Sequence, residues 1–317
     1  MLVNGVWQKK WDPVQNKDNE GRFIRQTSAF RERIDPKIVA QMAAGEFSEP
    51  RYQLYVAYIC PWATRTLIAR SLLGLEAHIG VSVVEPALSD SGWKFGSFAG
   101  TTPLEKENIE FIHQLYTKSD ANYTGRATVP VLWDTQAKRI INNESADILS
   151  IFNEDLRPLH RVDIDIRPIE HLAAIETFNQ RIYESLNNGV YKAGFASTQA
   201  AYEEANAEVF ATLDELETHF EQHQYAVNEQ LTEADIRLFV TLVRFDVAYY
   251  GLFKTNRQRI SDYPNLTAYI KRLLLVPAFS ENTKIDHIKA GYFSIKALNP
   301  TGIVPKGPEL DWFIYLS

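Results

Sequence analysis

The sequence predicts an α/β domain followed by an all-helical one. Three observations lead there. A run of period-two apolar residues ends at a cysteine and passes directly into a run of helical period. Two more strand-like runs close the first half, and the second half carries apolar residues three to four apart with few strand signals.

The first strand is RYQLYVAYI (51–59), rich in Tyr, Val, Leu and Ile, with Tyr52, Leu54 and Val56 alternating with other residues. PWATRTLIARSLLGL (61–75) then sets Leu67, Ile68, Leu72 and Leu75 at helical spacing, with Gly74 near the expected stop. Pro61 suits a first helical position, because its missing N–H would have no helical partner there. Cys60, the single cysteine of the chain, therefore falls at or just before a helix N-terminus. Unpaired N–H groups and the positive end of the helix dipole favour a thiolate at such a place. The ordinary reading of a lone cysteine is a small buried hydrophobe; the junction with Pro61 shifts the balance toward a reactive thiol.

VSVVEP (81–86) reads as a second strand, followed by a long polar stretch containing GWKF (92–95). ATVPVLWD (127–134) reads as a strand interrupted by Pro130, which implies an edge position or a cis bond. A TQAK turn leads to RIINNES (139–145), another strand, and ADILSIFN (146–153) begins a helix that Ser145 is placed to cap, with Asp147 in its first turn. Taken singly, Val129-Pro130 is a simple edge strand and Glu144-Ser145 a routine cap. Together the order βαβ, a long connection, then ββα, with a thiol before the first helix and a proline before the third strand, fits the thioredoxin fold.

Helices are expected around 168–187, 199–222, 233–253 and 264–275. TEAD (232–235) has the Thr-x-x-acid spacing of a helix start and is read as a structural cap. The tail ALNPTGIVPKGP (297–308), with three prolines and two glycines, is expected to run extended over the surface.

The chain has 317 residues, 45% hydrophobic and 23% charged, the mixture of a soluble globular protein with room for two domains. A net charge of -7 argues against nucleic acid as the main partner. No apolar run approaches the roughly 20 residues of a membrane span, and the first residues are too polar for a signal peptide. One cysteine excludes an internal disulfide framework, a CxxC redox pair and a Cys-based zinc site, so no metal is expected and a reducing cytoplasm is the default compartment.

A thioredoxin-like half followed by a helical half is the glutathione transferase arrangement. "YICPWATRTLIAR", "ATVPVLWD", "INNESADI", "LVRFDVAYYGLFK" and "NPTGIVPKGP" resemble the signature stretches of glutathionyl-hydroquinone reductases, the xi class. "WDP" and "GRFIRQTSAFRERI" resemble the long leading arm of that class. The omega class carries related Cys-Pro stretches; the arm, the GWKF insertion and the NPTGIVP tail separate xi from it. The resemblance implies an arm over 1–48, a thioredoxin-like glutathione-binding domain over 49–160, and a helical domain with an extended tail over 161–317.

It also implies glutathione-dependent reduction of glutathionyl-hydroquinones to hydroquinones by a homodimer. A lone thiol cannot close an internal disulfide, so its oxidised state must be a mixed disulfide with a small thiol. Residues matching the family's glutathione site are Trp93, Arg126, Val129, Glu144 and Ser145. Val129 has backbone N–H and C=O groups for the cysteinyl part in a strand-like pairing. Glu144 suits the γ-glutamyl ammonium, and Ser145 with the helix start suits its carboxylate. Arg126 and Trp93 suit the glycyl end and the wall. Tyr191, Tyr249 and Tyr292 match the family's site tyrosines, as proton donor/acceptor, thiol pKa-lowering group and ring binder respectively; Tyr250 leaves a one-residue ambiguity in the second. Phe293 and Ile295 stand where the family pattern is more polar, which bears on ring preference. The alternatives are an omega-like thiol transferase or dehydroascorbate reductase using the same cysteine, and a non-enzymatic binding module on the same scaffold.

Overall fold

The computed structural model describes residues 1–9, 17–103 and 109–316; the WDP stretch (11–13) lies outside the described residues. Two compact units result, one from Met1–Trp11 with Gln26–Asp165, the other from Asp12–Arg25 with Ile166–Ser317.

In the first unit a hairpin of β1 (Leu2–Val3) and β2 (Val6–Trp7) precedes α1 (Pro36–Ala43), whose N-cap is Asp35 and whose first residue is a proline. Then come β3 (Tyr52–Val56), α2 (Pro61–Leu72), β4 (Ile79–Val83), α3 (His113–Ser119), β5 (Val131–Asp134), β6 (Arg139–Asn142) and α4 (Ser145–Ser150). The strands form a four-stranded sheet in the order β4-β3-β5-β6. β3 runs parallel to β4 and antiparallel to β5, and β5 is antiparallel to β6, the thioredoxin-like arrangement. The alternation read in 51–59 is the burial alternation of β3: Tyr52, Leu54 and Val56 are inside. Leu54, Val56, Ile68, Val131, Leu132 and Ile148 are fully buried, each side chain gaining about 1.5–3 kcal/mol from leaving water.

Three expectations need adjustment. α2 stops at Leu72, short of Leu75, because Gly74 adopts φ +66. The N–H of Leu75 turns back to Arg70 C=O (3.0 Å) and that of Gly74 to Ser71 C=O (3.2 Å), a left-handed helix stop that glycine alone enters without penalty. Of the two readings of Pro130 the cis bond holds and the edge does not: β5 is flanked on both sides, and the proline lies just ahead of it after a cis Val129-Pro130 bond. Finally, α4 is capped by Glu144 rather than Ser145, which is its first helical residue. The Glu144 carboxylate accepts from Ala146 N (3.3 Å), since its longer side chain folds back over the helix start.

The second unit contains α5 (Leu172–Ile182), α6 (Gly189–Gly194), α7 (Gln199–Gln222), α8 (Glu233–Arg244), α9 (Tyr250–Leu252), α10 (Pro264–Leu274), α11 (Pro277–Ser280) and α12 (Ile285–Phe293). α5 is extended by a π-helical turn over Tyr183–Asn187, and a second one, Phe245–Tyr249, joins α8 to α9. The TEAD reading is realised as a capping box between Thr232 and Asp235. Between 297 and 308 the tail has no regular element, and Ile303 and Val304 are exposed. No helix among the described residues is long and apolar enough to cross a membrane.

Candidate functional site

Cys60 is the N-cap of α2, in extended conformation (φ -76, ψ 115), with Pro61 at the first helical position. It is half-buried. Its thiol donates to the carbonyl of Val129 at 3.5 Å, so the residue before the cis-proline and the sulfur meet across the loops that leave β3 and enter β5. Antiparallel pairing of those two strands, with Tyr55 opposite Val131, brings the two loops to the same end of the sheet.

Glu144 and Ser145 sit where β6 turns into α4. Glu144 is half-buried and accepts from the Ser28 hydroxyl at 2.9 Å, while Ser145 is buried with its hydroxyl 3.5 Å from the same carboxylate. Arg126 is half-buried, and its backbone N–H donates to Gln26 Oε1 at 3.1 Å. Trp93 is half-buried in the long connection, where its carbonyl accepts from Ile112 N at 3.0 Å. Beside it, Gly92 (φ +85) lies under the indole of Trp7, where a Cβ would come within 2.9 Å of the ring.

Gln26 and Ser28, from the leading arm, touch two of these residues, and the polar, aperiodic run that holds them carries no contact signal in the sequence. The arm is tied down further by Arg31 Nη2 to Asp147 Oδ1 (2.7 Å), by Arg139 to Glu32 (2.6 and 2.7 Å), and by Arg33 to Asp155.

In the second unit the structure brings the three tyrosines together. Tyr191 lies on α6, Tyr249 ends the second π-helical turn, and Tyr292 lies on α12. The Tyr292 hydroxyl is 2.6 Å from that of Tyr191 and 2.9 Å from that of Tyr249. Tyr249 and Tyr292 are buried, and burial pushes both hydroxyls well above the usual phenol range, opposed in part by the buried Arg244 cation. Both are therefore neutral O–H groups at physiological pH. Tyr191 is half-buried. If Tyr249 donates to Tyr292 and Tyr292 to Tyr191, the Tyr191 proton is directed out of the trio. Phe253 stacks on Tyr249 (5.2 Å, 17°) and meets Tyr191 and Tyr292 edge-on. Tyr250 faces elsewhere, under the Arg259 guanidinium, so the hydroxyl beside Tyr292 is that of Tyr249. Among the described residues no group of three His, Cys, Asp or Glu side chains is placed to hold a metal ion.

A thiol at a helix start beside a cis-proline, ahead of a helical half, defines a glutathione transferase. Residues 59–155 match the family model for the glutathione S-transferase N-terminal domain, and 199–272 match that for the C-terminal domain. Glutathionyl-hydroquinone reductase PcpF of Sphingobium chlorophenolicum is 44% identical, covering 97% of this chain and 96% of its own. Glutathionyl-hydroquinone reductase YqjG of Escherichia coli is 45% identical over 98% of this chain and 95% of its own. Among solved structures, the glutathione-S-transferase Xi of Phanerochaete chrysosporium superposes with a TM-score of 0.86 at 44% identity, covering 92% of this chain and 94% of that one. The glutathione-bound structure of YqjG also reaches 0.86, at 42% identity, covering 98% and 97%. The chain belongs to the glutathionyl-hydroquinone reductases, the xi class of the glutathione transferase family.

Proposed function

We propose that the protein reduces glutathionyl-hydroquinones to hydroquinones at the expense of glutathione, with Cys60 as nucleophile. The observation that carries the reading is the Cys60 Sγ to Val129 O approach of 3.5 Å. A glutathione whose cysteinyl part pairs with the Val129 backbone has its sulfur within reach of the Cys60 thiolate. That thiolate attacks the thioether sulfur, and the carbon–sulfur bond breaks with its electron pair going to the aromatic carbon. Tyr191 supplies the proton that this carbon takes up. The hydroquinone leaves, Cys60 is left as a mixed disulfide, and a second glutathione thiolate attacks it to release oxidised glutathione.

Glu144 takes the γ-glutamyl ammonium while keeping its cap on Ala146, and Ser145 takes the adjoining carboxylate. Arg126 and Trp93 hold the glycyl end and the wall. Tyr292 and Tyr249 act behind Tyr191: their neutral hydroxyls orient it, and Tyr292 also contacts the ring. The influence of Tyr249 on the Cys60 thiol remains part of this proposal. We place the protein in a reducing cytoplasm as a homodimer joined through its helical half; sedimentation finding only monomer at micromolar concentration refutes the dimer.

A relative named glutathione S-transferase omega-like 2, from Schizosaccharomyces pombe, is 41% identical over 91% of this chain and 94% of its own, which keeps a general thiol transferase as the second reading. One experiment tests both. Cys60→Ser is assayed on a glutathionyl-hydroquinone and on a small glutathione mixed disulfide. Both activities vanish if Cys60 is the nucleophile, and substantial turnover by the variant refutes that role. Faster wild-type turnover of the disulfide than of the hydroquinone conjugate favours the transferase.

A further inference from the structure

Arg25 belongs to the leading arm, in the stretch GRFIRQTSAFRERI, and bears on Tyr191 directly through its ring and indirectly through Asn188. Its guanidinium carbon lies 4.8 Å from the centroid of the Tyr191 ring. Its Nε donates to Asn188 Oδ1 at 2.8 Å, and Asn188 is the N-cap of α6, whose carbonyl accepts from Tyr191 N at 3.0 Å. The same guanidinium lies 5.5 Å from the Phe23 ring, so it sits against two aromatic rings. Asn188 is itself buried. Tyr249 and Tyr292 also stand at the phenol, both neutral, and the buried Arg244 cation acts on both of them; the neighbouring Lys192 is paired with Glu184.

We propose that Arg25 is a positioning residue for Tyr191, holding the start of its helix through Asn188 and setting a permanent positive charge against the ring. This rests on Tyr191 being the proton donor of the reaction. A cation over a phenol ring favours the state in which the hydroxyl has given up its proton, and it favours that state more than the neutral one. The planar fork matters as well as the charge, because its Nε bonds Asn188 while its central carbon lies over the ring. The arm segment therefore acts on the chemistry and not only on stability.

The test uses the full-length protein labelled with ¹³Cζ-tyrosine, with the Tyr191 resonance identified by its loss in Tyr191→Phe. In Arg25→Met the Tyr191 titration moves to higher pH by about half a unit, and kcat on a glutathionyl-hydroquinone falls about threefold with KM unchanged. Arg25→Lys keeps the charge and loses the fork, so its Tyr191 titrates as in the wild type while kcat recovers in part. Arg25→Gln serves in place of Arg25→Met if the latter does not fold. A Tyr191 titration unmoved by loss of the charge overturns the proposal, as does a rise in KM with kcat intact. Failure of the underlying reading shows separately, as full hydroquinone turnover by Tyr191→Phe.

Discussion

Arg51 and Asp134 pin together the ends of β3 and β5 remote from Cys60 and Val129. Arg51 Nε and Nη2 donate to the two Asp134 oxygens at 2.8 Å each, and the carboxylate also accepts from Gln136 N (2.9 Å) and Ala137 N (2.8 Å). The Asp134 side chain is 3% exposed and that of Arg51 12%. Burial opposes ionisation of Asp134, but the Arg51 fork and the two amides outweigh it and hold the carboxyl below its usual range. Arg51→Met removes the fork and leaves a buried carboxylate with two amides. Breaking a fully buried pair costs about 3–5 kcal/mol; the retained amides and partial exposure of Arg51 bring the expected loss to about 2 kcal/mol at pH 7. The sign with pH follows from the direction of the shift. A lowered carboxyl contributes stability that is present above its unfolded value, near 3.8, and lost as pH falls through its folded one. The gap between wild type and variant in urea denaturation therefore narrows from pH 7 toward acid, as Asp134 becomes protonated in both. A loss below about 0.5 kcal/mol, the scale of an exposed ion pair, or a gap constant with pH, would mean that Arg51 does not hold Asp134 ionised.

Asp235 behaves in the opposite sense. Burial, against donation from Ala226 N, Thr232 N and Tyr269, pushes it up to about 6, so the stability it contributes is complete below its unfolded value near 3.8 and lost as pH rises through 6. Between pH 4 and 7 the wild type should lose up to about 3 kcal/mol relative to Asp235→Asn; parallel pH profiles of the two would contradict this. Tyr191→Phe should lower kcat on glutathionyl-hydroquinones about 100-fold and barely touch attack on a small disulfide, whose thiolate leaves without a proton. Equal losses on both substrates would return Tyr191 to a structural role, and Tyr292→Phe, which removes the hydroxyl 2.6 Å from that of Tyr191, should lower kcat on the conjugate as well as raise KM.

Local signals carried the parts of the fold that depend on local physics. Period-two burial marked β3, Pro61 marked the start of α2, and Thr232 with Asp235 marked α8. Gly74 marked the stop of α2, though its left-handed turn ends the helix before Leu75. At α4 the sequence points to Ser145, the commoner cap type, while the longer Glu144 reaches the amide of Ala146 from one position earlier. Long-range convergence left no mark. The Tyr191 and Tyr292 hydroxyls meet across 101 positions, and those of Tyr249 and Tyr292 across 43; only the family resemblance selected these tyrosines from 15. Gln26, Ser28 and Arg25 lie in an aperiodic arm, where side-chain contacts follow from tertiary packing rather than from spacing. The two π-helical turns, which place Tyr249 and precede Tyr191, were equally silent, because an inserted residue in a helix does not alter the apolar pattern enough to be read.

With Cys60 as nucleophile, the hydroquinone leaves as Cys60 captures its glutathione. Intact-mass and peptide mass spectrometry after mixing the protein with a glutathionyl-hydroquinone, with no free glutathione present, measures this in a single turnover. One glutathione per chain is expected, located on Cys60 and removable by added glutathione, with an equal amount of hydroquinone released. Release of hydroquinone while Cys60 stays unmodified would contradict it.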